Sequence, residues 1–234
     1  MLVVEHAEAE GPVRIGEVLE QHGHRLHHVR ADLGDPLPPD AGAFAGLVVM
    51  GGLQDAYSDE GFPSRQAERA LLADAVTRGT PTLGVCLGAQ LLADAVGGTA
   101  KPGDAPEVGW LPVDLTDAAA DDELLAGVPS PLVVLQWHFD TFDLPPDAVL
   151  LASSPAYRNQ AFRVGERAWG LQLHVEVDEQ TVADFLVSTP QDARHVDGGA
   201  QALLAATSGA VAALEPVQQL VFGRFAQLVS EAAH

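Results

Sequence analysis

The sequence predicts an α/β fold: a three-layer, open, mostly parallel sheet with flanking helices, followed by a helical C-terminal extension over about residues 180–234. Three observations predict it. Short apolar runs alternate with segments of helical periodicity over the first hundred residues, which is typical of a parallel sheet with crossover helices. Strand patterns separated by Pro and Gly turns dominate residues 100–180. The remaining residues are rich in Ala, Leu and Gln at helical spacing.

In the first half, strand and helix alternate. Each predicted strand is a short apolar run, and the runs cover residues 2–4, 26–29, 47–50 and 82–85. The predicted helices cover residues 15–22, 65–78 and 87–96. A glycine follows each helix, which is a common way for a helix to end, and the three glycines are Gly23, Gly79 and Gly97.

In the second half, Pro and Gly turns separate five further strand candidates, which cover residues 110–115, 132–136, 149–151, 160–164 and 168–173. The extension is predicted to be helical and to break at Pro190, Gly198, Gly209 and Pro216. Because the sequence has no internal repeat and no linker-like segment, we expect one domain over residues 1–234, with its core at about 1–180.

The composition excludes several classes of protein. With 47% apolar residues the chain of 234 residues has enough material for a core. Its 12 Lys and Arg against 33 Asp and Glu give a net charge of −21, which repels nucleic acid and anionic lipid. The first residues lack a signal peptide pattern, and no run of about 18 apolar residues occurs. We therefore expect a cytoplasmic protein with neither a nucleic acid nor a membrane as partner.

The single cysteine, Cys86, lies between a predicted strand and a predicted helix within Gly84-Val85-Cys86-Leu87-Gly88. This pattern is typical of a nucleophile elbow, because the flanking glycines allow a sharp turn and close packing of strand on helix. The helix N-terminus favours a thiolate there. A buried packing cysteine is the alternative interpretation.

Histidine followed two residues later by an acid occurs four times, so spacing alone does not identify a general base. His174 and Glu176 follow a predicted apolar strand at its C-terminal end, where open α/β sheets bind ligands. The two-residue period of a strand puts both side chains on one face. His138 is the competing base, and a hydrogen-bonded core histidine is the alternative interpretation of His174.

Gly51 and Gly52 follow a buried strand, where a backbone N–H can face a developing oxyanion. Gly52 and the residue after the nucleophile, Leu87, would form an oxyanion hole with two donors.

Four histidines at 22, 24, 27 and 28 raise a metal hypothesis, but no carboxylate or Cys accompanies them, so we expect no metal site. With no phosphate-binding glycine motif, no cofactor is expected.

These motifs occur in the order used by class I, triad-type glutamine amidotransferases, and residues 1–180 resemble that family. The elbow with Gln90 four residues after Cys86 carries most of the resemblance, supported by Gly51-Gly52 and His174-Val175-Glu176. The chain looks most similar to stand-alone members that resemble the amidotransferase domain of GMP synthase. The resemblance implies a flavodoxin-like sheet.

The resemblance also implies a mechanism. Cys86 attacks the amide of glutamine, His174 transfers the proton, and Glu176 orients His174. Ammonia leaves, and a glutamyl thioester remains and is hydrolysed. Gln90 matches the position that holds glutamine. The segment from Gln136 to Asp140 resembles the loop whose backbone, here at Phe139 and Asp140, would hold the α-amino and α-carboxyl groups of the substrate, and His138 of the same segment is assigned to substrate binding with them.

The sequence departs from the family pattern in two motifs. Val175 replaces a proline between the His and the Glu, and Leu53 replaces the proline after Gly51-Gly52.

Three functions remain open: an amidotransferase that passes ammonia to a separate synthetase, a γ-glutamyl hydrolase that acts alone, and a non-catalytic binding or regulatory module of the same fold. The oligomeric state is not predicted.

Overall fold

The computed structural model describes residues 1–232, which form nine strands and five α-helices. The strands are β1 (Leu2–Glu5), β2 (His27–Arg30), β3 (Leu47–Val49), β4 (Thr82–Val85), β5 (Thr99–Leu115), β6 (Leu132–Asp143), β7 (Val149–Ser153), β8 (Ala161–Val164) and β9 (Ala168–Leu171). The helices are α1 (Val13–Gln21), α2 (Arg65–Arg78), α3 (Leu87–Ala95), α4 (Glu179–Ser188) and α5 (Gly199–Ala232).

The strands form one sheet in the order β2-β1-β3-β4-β9-β8-β7-β5-β6. The first five strands in this order are parallel, and every pairing from β9 to β6 is antiparallel. The α/β prediction is confirmed, but "mostly parallel" is wrong because half of the pairings are antiparallel. The reason lies in the connections: short turns link β7, β8 and β9, and such turns join antiparallel neighbours only.

The longest strands, β5 and β6, pair with each other along most of their length. The sequence predicts only the last third of β5, because Pro102, Gly103 and Pro106 resemble a loop. The register shifts between Pro102 and Glu107, so a local irregularity accommodates these residues while pairing continues on both sides. Only Asp114 and Leu115 of β5 pair with β7, so most of this hairpin extends beyond the rest of the sheet.

Alternate residues of β1 pack into different apolar layers on the two faces of the sheet. Val3 belongs to the layer that includes α1 and α5, whereas Leu2 and Val4 belong to the layer that includes α2 and α3. A strand with helices on both faces buries side chains on both, which explains the continuous apolar run from Leu2 to Val4 in β1.

The C-terminal extension contains α4 and α5, with a short 3₁₀ segment, Pro190–His195, between them. The predicted breaks at Pro190 and Gly198 are confirmed, but those at Gly209 and Pro216 are wrong, because α5 runs through both. Its buried residues recur every three or four positions, from Leu203 to Val229. These residues form a mostly apolar stripe along one face of α5. Burial of this stripe on the sheet compensates for the helix-breaking tendency of Gly209 and Pro216.

By length and composition, α5 also meets the criterion for a helix that could span a membrane. Its buried stripe packs against the sheet and α1, and 28% of the apolar window is buried. A core helix of a globular protein meets the same criterion, so the helix is weak support for a membrane span.

Candidate active site

Cys86 lies at the junction of β4 and α3, with backbone dihedral angles φ 49° and ψ −107°. Positive φ is unusual for a residue with a side chain and is costly unless the surroundings hold it in place. The N–H of Cys86 donates to the carbonyl of Leu171 at 2.8 Å, which joins the junction to β9. The turn therefore lifts the thiol above the C-terminal edge of the parallel strands.

Gly84 and Gly88 allow α3 to start directly against the sheet. A Cβ atom on Gly84 would meet the Gly88 carbonyl oxygen at 2.5 Å, and one on Gly88 would overlap the Val49 carbonyl oxygen. Both obstacles are backbone atoms, which cannot rotate away. The structure thus brings the two glycines into the close contact that the elbow pattern predicts.

His174 and Glu176 lie beside Cys86, and both are buried, at 1% and 3% exposure. Nδ1 of His174 donates to Oε1 of Glu176 at 2.6 Å. The other ring nitrogen, Nε2, is buried and has no hydrogen bond partner within residues 1–232. This arrangement leaves Nε2 available to exchange a proton with the neighbouring thiol.

Burial disfavours the imidazolium form of His174, but the carboxylate of Glu176 and the contact with Cys86 outweigh it, so the pKa of His174 is raised well above its ordinary value. Burial also raises the pKa of the Cys86 thiol, against the opposing effect of His174. The two groups are therefore coupled, and a thiolate at Cys86 depends on an imidazolium at His174.

We expect Glu176→Gln to lower turnover roughly a hundredfold, because the amide keeps the shape but loses the charge that orients and stabilises the imidazolium. The pKa of His174 should fall, so the limb of the pH–rate profile that reports its deprotonation should move to lower pH. Steady-state kinetics across pH measures both effects. A variant with the rate and pH profile of the wild type would exclude Glu176 as the third member of a catalytic triad with Cys86 and His174.

Gln172 contacts the sulfur directly, a role that the sequence interpretation missed. Its Nε2 donates to Sγ of Cys86 at 3.6 Å, and its Oε1 accepts from Nε2 of Gln90 at 3.0 Å. Both glutamines are buried. The two-residue period that places His174 and Glu176 on one face also applies to Gln172, so this signal was present in the sequence.

Because an N–H donor stabilises a thiolate, Gln172→Met should raise the thiol pKa and slow alkylation of Cys86 by iodoacetamide several-fold at neutral pH. Methionine fills a similar volume without the donor. The rate of alkylation across pH measures the change. An unchanged profile would mean that the contact with sulfur is structural only.

The loop after β3 brings Gly51 and Gly52 to the thiol. Gly52 and Leu87 line the same cleft as Cys86, and Leu87 is the first residue of α3, so its N–H has no partner inside the helix. His6 fixes the loop: its Nδ1 contacts the Gly51 carbonyl at 3.1 Å, and its Nε2 contacts Glu68 at 2.7 Å. A Cβ atom on Gly51 would overlap the Glu10 carboxylate.

The cleft above Cys86 has a volume of about 330 Å³. It brings together the residues that the resemblance assigns to substrate binding, namely Gln90, His138, Phe139 and Asp140. The structure also adds lining residues that the sequence did not single out, namely Glu10, Gln54, Asp55, Trp137, Phe185, Gln191 and Asp192.

His138, the competing base, is engaged elsewhere. Its Nδ1 lies 2.9 Å from the Asp140 carbonyl oxygen, and its Nε2 lies 3.1 Å from Oε2 of Glu107. Glu107 is buried and also accepts from Gln160 and Ser154. This network leaves His138 to hold the loop of Phe139 and Asp140 in place rather than to serve Cys86.

The four histidines between residues 22 and 28 are dispersed. His22 bonds to the carbonyl of Val18, His24 to that of Ala226, and His28 to the Glu5 carboxylate. His27 stacks on Phe44. Across residues 1–232, no group of three His, Cys, Asp or Glu side chains is arranged to hold a metal ion.

Comparison with known sequences identifies residues 15–188 as a match to the family Glutamine amidotransferase class-I. The chain is 33% identical over 183 residues to the putative glutamine amidotransferase-like protein YfeJ of Salmonella typhimurium, and the aligned region covers 76% of each chain. It is 31% identical to the glutamine-hydrolyzing GMP synthase of Porphyromonas gingivalis over 74% of this chain and 37% of that one. Gamma-glutamyl peptidase 3 of Arabidopsis thaliana is 27% identical over 63% of this chain and 60% of its own.

Among solved structures, a glutamine amidotransferase from Methylobacillus flagellatus superposes with a TM-score of 0.88 at 29% identity. The superposition covers 97% of this chain and 94% of the other. The likeness therefore includes α4 and α5, which the sequence interpretation placed outside the family core.

Proposed function

The chain belongs to the class I glutamine amidotransferase family, and from this premise we propose that it hydrolyses the side-chain amide of glutamine, or of another γ-glutamyl compound, through a thioester on Cys86. One observation carries the proposal: a buried His174–Glu176 pair lies beside a thiol that is held at a strained elbow on the floor of a cleft. Such a set is typical of covalent catalysis by a cysteine.

In the first step, the Cys86 thiolate attacks the γ-carbonyl carbon, and the carbonyl electron pair moves to oxygen. The N–H groups of Gly52 and Leu87 bind this oxyanion in our proposal. When the tetrahedral intermediate collapses, the C–N bond breaks, and the imidazolium of His174 gives its proton to the departing nitrogen. An amine or ammonia leaves, and the γ-glutamyl thioester remains.

In the second step, neutral His174 takes a proton from a water molecule, whose oxygen attacks the thioester carbon. The C–S bond breaks, glutamate leaves, and the thiolate–imidazolium pair is restored. Glu176 holds the ring and stabilises the imidazolium in both steps. Gln90 and the loop of His138, Phe139 and Asp140 hold the glutamyl group.

We propose that the ammonia passes to a separate synthetase subunit. The similarity to a GMP synthase described as glutamine-hydrolyzing supports this, and the chain spans 37% of that relative's length. A γ-glutamyl hydrolase that acts alone is the second candidate, supported by the similarity to gamma-glutamyl peptidase 3.

The test is intact-mass analysis after treatment with a glutamine-mimicking diazo ketone, comparing the wild type with Cys86→Ala and His174→Ala. We expect one adduct per chain, absent in Cys86→Ala and suppressed by glutamine. An adduct that glutamine does not suppress would keep the cysteine hydrolase and remove glutamine as the donor. No adduct and no glutamate release would favour a non-catalytic binding module.

A further inference from the structure

A second histidine–glutamate pair lies behind the loop of Gly51 and Gly52. The side chains of His6 and Glu68 are fully buried, and Nε2 of His6 lies 2.7 Å from Oε2 of Glu68. Nδ1 of His6 lies 3.1 Å from the carbonyl oxygen of Gly51. The other oxygen of Glu68, Oε1, is buried without a hydrogen bond partner within residues 1–232. The pair therefore serves a single backbone carbonyl.

The two contacts determine where the protons of His6 lie. A carbonyl oxygen and a carboxylate oxygen both accept hydrogen bonds, so both ring nitrogens must carry a proton when Glu68 is ionised. Burial disfavours the imidazolium, but the contacts with Glu68 and with the Gly51 carbonyl outweigh it. The pKa of His6 is raised as a result, with a further contribution from the charge of Glu10. His6 therefore donates to Gly51 as a cation.

The hydrogen bond to Gly51 also orients the N–H of Gly52, because the two groups belong to one peptide unit. In a planar trans peptide, the carbonyl and the N–H point in opposite directions. The carbonyl of Gly51 faces His6, behind the loop, whereas Gly52 lines the cleft with Cys86. The N–H of Gly52 therefore faces the cleft, and it donates to no backbone carbonyl within the described chain.

Packing holds the same peptide from two sides. A Cβ atom on Gly52 would meet Cβ of His6 at 2.5 Å and Cδ2 of Leu87 at 2.8 Å. Gly52 thus lies between His6 and the residue whose N–H is the second proposed oxyanion donor. A rotation that turned the N–H of Gly52 away would break the hydrogen bond to His6. It would also bring the Gly51 carbonyl into the cleft, where its negative end would oppose an oxyanion.

We propose that His6 is a positioning residue, which holds the peptide between Gly51 and Gly52 with its N–H toward the developing oxyanion. A cationic donor on the carbonyl also polarises the peptide, so the N–H becomes a stronger donor. Glu68 keeps the ring in place and charged. This inference rests on the proposed function and deepens it, because the pair acts on the transition state without a hydrogen bond to Cys86.

An oxyanion forms only after the thiolate attacks, so the pair should affect kcat rather than KM. Glu68→Gln keeps a neutral donor at His6, because the amide donates to Nε2 while Nδ1 keeps its proton. This variant should lower kcat for glutamine about fivefold to tenfold. The double variant His6→Leu, Glu68→Met removes the donor without leaving a buried carboxylate unpaired, and should lower kcat at least about fiftyfold. In both variants, KM should stay within about threefold of the wild-type value.

Alkylation of Cys86 by iodoacetamide separates positioning from a general structural role, because displacement at a saturated carbon forms no oxyanion. Both variants should alkylate within about twofold of the wild-type rate. His24→Leu is the matched control. Nε2 of His24 also contacts a backbone carbonyl, that of Ala226 at 2.9 Å, but outside the cleft, so kcat should not change. If kcat and the alkylation rate fall together, the pair only supports the fold and the inference is wrong.

The ¹⁵N resonances of the His6 ring test the pair without a substrate. They are identified by their absence from the double variant, and they should show both nitrogens protonated at neutral pH. A ring with one proton would overturn the inference.

Failure of the inference is distinguishable from failure of the proposed function. Hydrolysis of glutamine by the wild type, with Glu68→Gln at the wild-type kcat, overturns only the role of His6 and Glu68, whether or not the double variant folds. Absence of hydrolysis of glutamine and of γ-glutamyl amides by the wild type, at full occupancy of substrate, overturns the proposed function and the inference together.

Discussion

Replacing Cys86 by serine should lower turnover by roughly three orders of magnitude or more while the protein folds normally. The hydroxyl is isosteric with the thiol, but an alkoxide is far harder to form than a thiolate, and His174 is placed to exchange a proton with sulfur. Loss of a nucleophile usually costs the enzyme nearly all of the advantage that its catalytic group provides. Release of glutamate from glutamine measures the rate.

Thermal unfolding of Cys86→Ser is the control, because Cys86 is buried and its backbone is strained. An unchanged melting temperature with lost turnover would assign the effect to chemistry. Turnover within tenfold of the wild type would mean that Cys86 is not the nucleophile, and the thioester mechanism would then be wrong.

Gly88→Ala should destabilise the protein by about 3 kcal/mol or more, although it adds a single methyl group. The new Cβ atom would overlap the carbonyl oxygen of Val49 in β3. Relief requires α3 to move away from the sheet, and this movement would also displace Cys86 from His174. Urea unfolding measures the loss of stability, and alkylation of Cys86 reports the displacement.

Gly209→Ala is the matched control for Gly88→Ala. A Cβ atom on Gly209 has no neighbour within 4 Å, and the residue lies inside α5. There the same substitution should stabilise the protein by about 0.5–1 kcal/mol, because alanine loses less conformational entropy in a helix than glycine. A Gly88→Ala variant as stable as the wild type would mean that α3 can adjust without cost.

The candidate nucleophile was predictable because its environment is local in sequence. The glycines at 84 and 88, a strand before Cys86 and a helix after it are all within ten residues. The pairing of His174 with Glu176 was predicted from the two-residue period of a strand, and the two side chains do meet although β9 ends at Leu171 rather than at residue 173. The hydrogen bond at 2.6 Å agrees with that geometry.

Other features depended on contacts between distant residues. The full length of β5 depends on pairing with β6, which overrides the local preference of Pro102 and Gly103. The continuation of α5 through Gly209 and Pro216 depends on burial of its apolar stripe. Local propensity is weak compared with such tertiary packing, so the sequence alone could not predict either feature.

The elbow, the positions of the parallel strands along the chain and the spacing of His174 and Glu176 follow from the sequence alone, because short-range sterics and periodicity fix them. Contacts between separate elements, by contrast, place His174 beside the thiol, let Gln172 donate to the sulfur, and bring Asp55 and Asp140 to one cleft. These contacts join residues 85 to 88 positions apart through packing of separate elements against the sheet, and packing, unlike periodicity, is not encoded in any one segment.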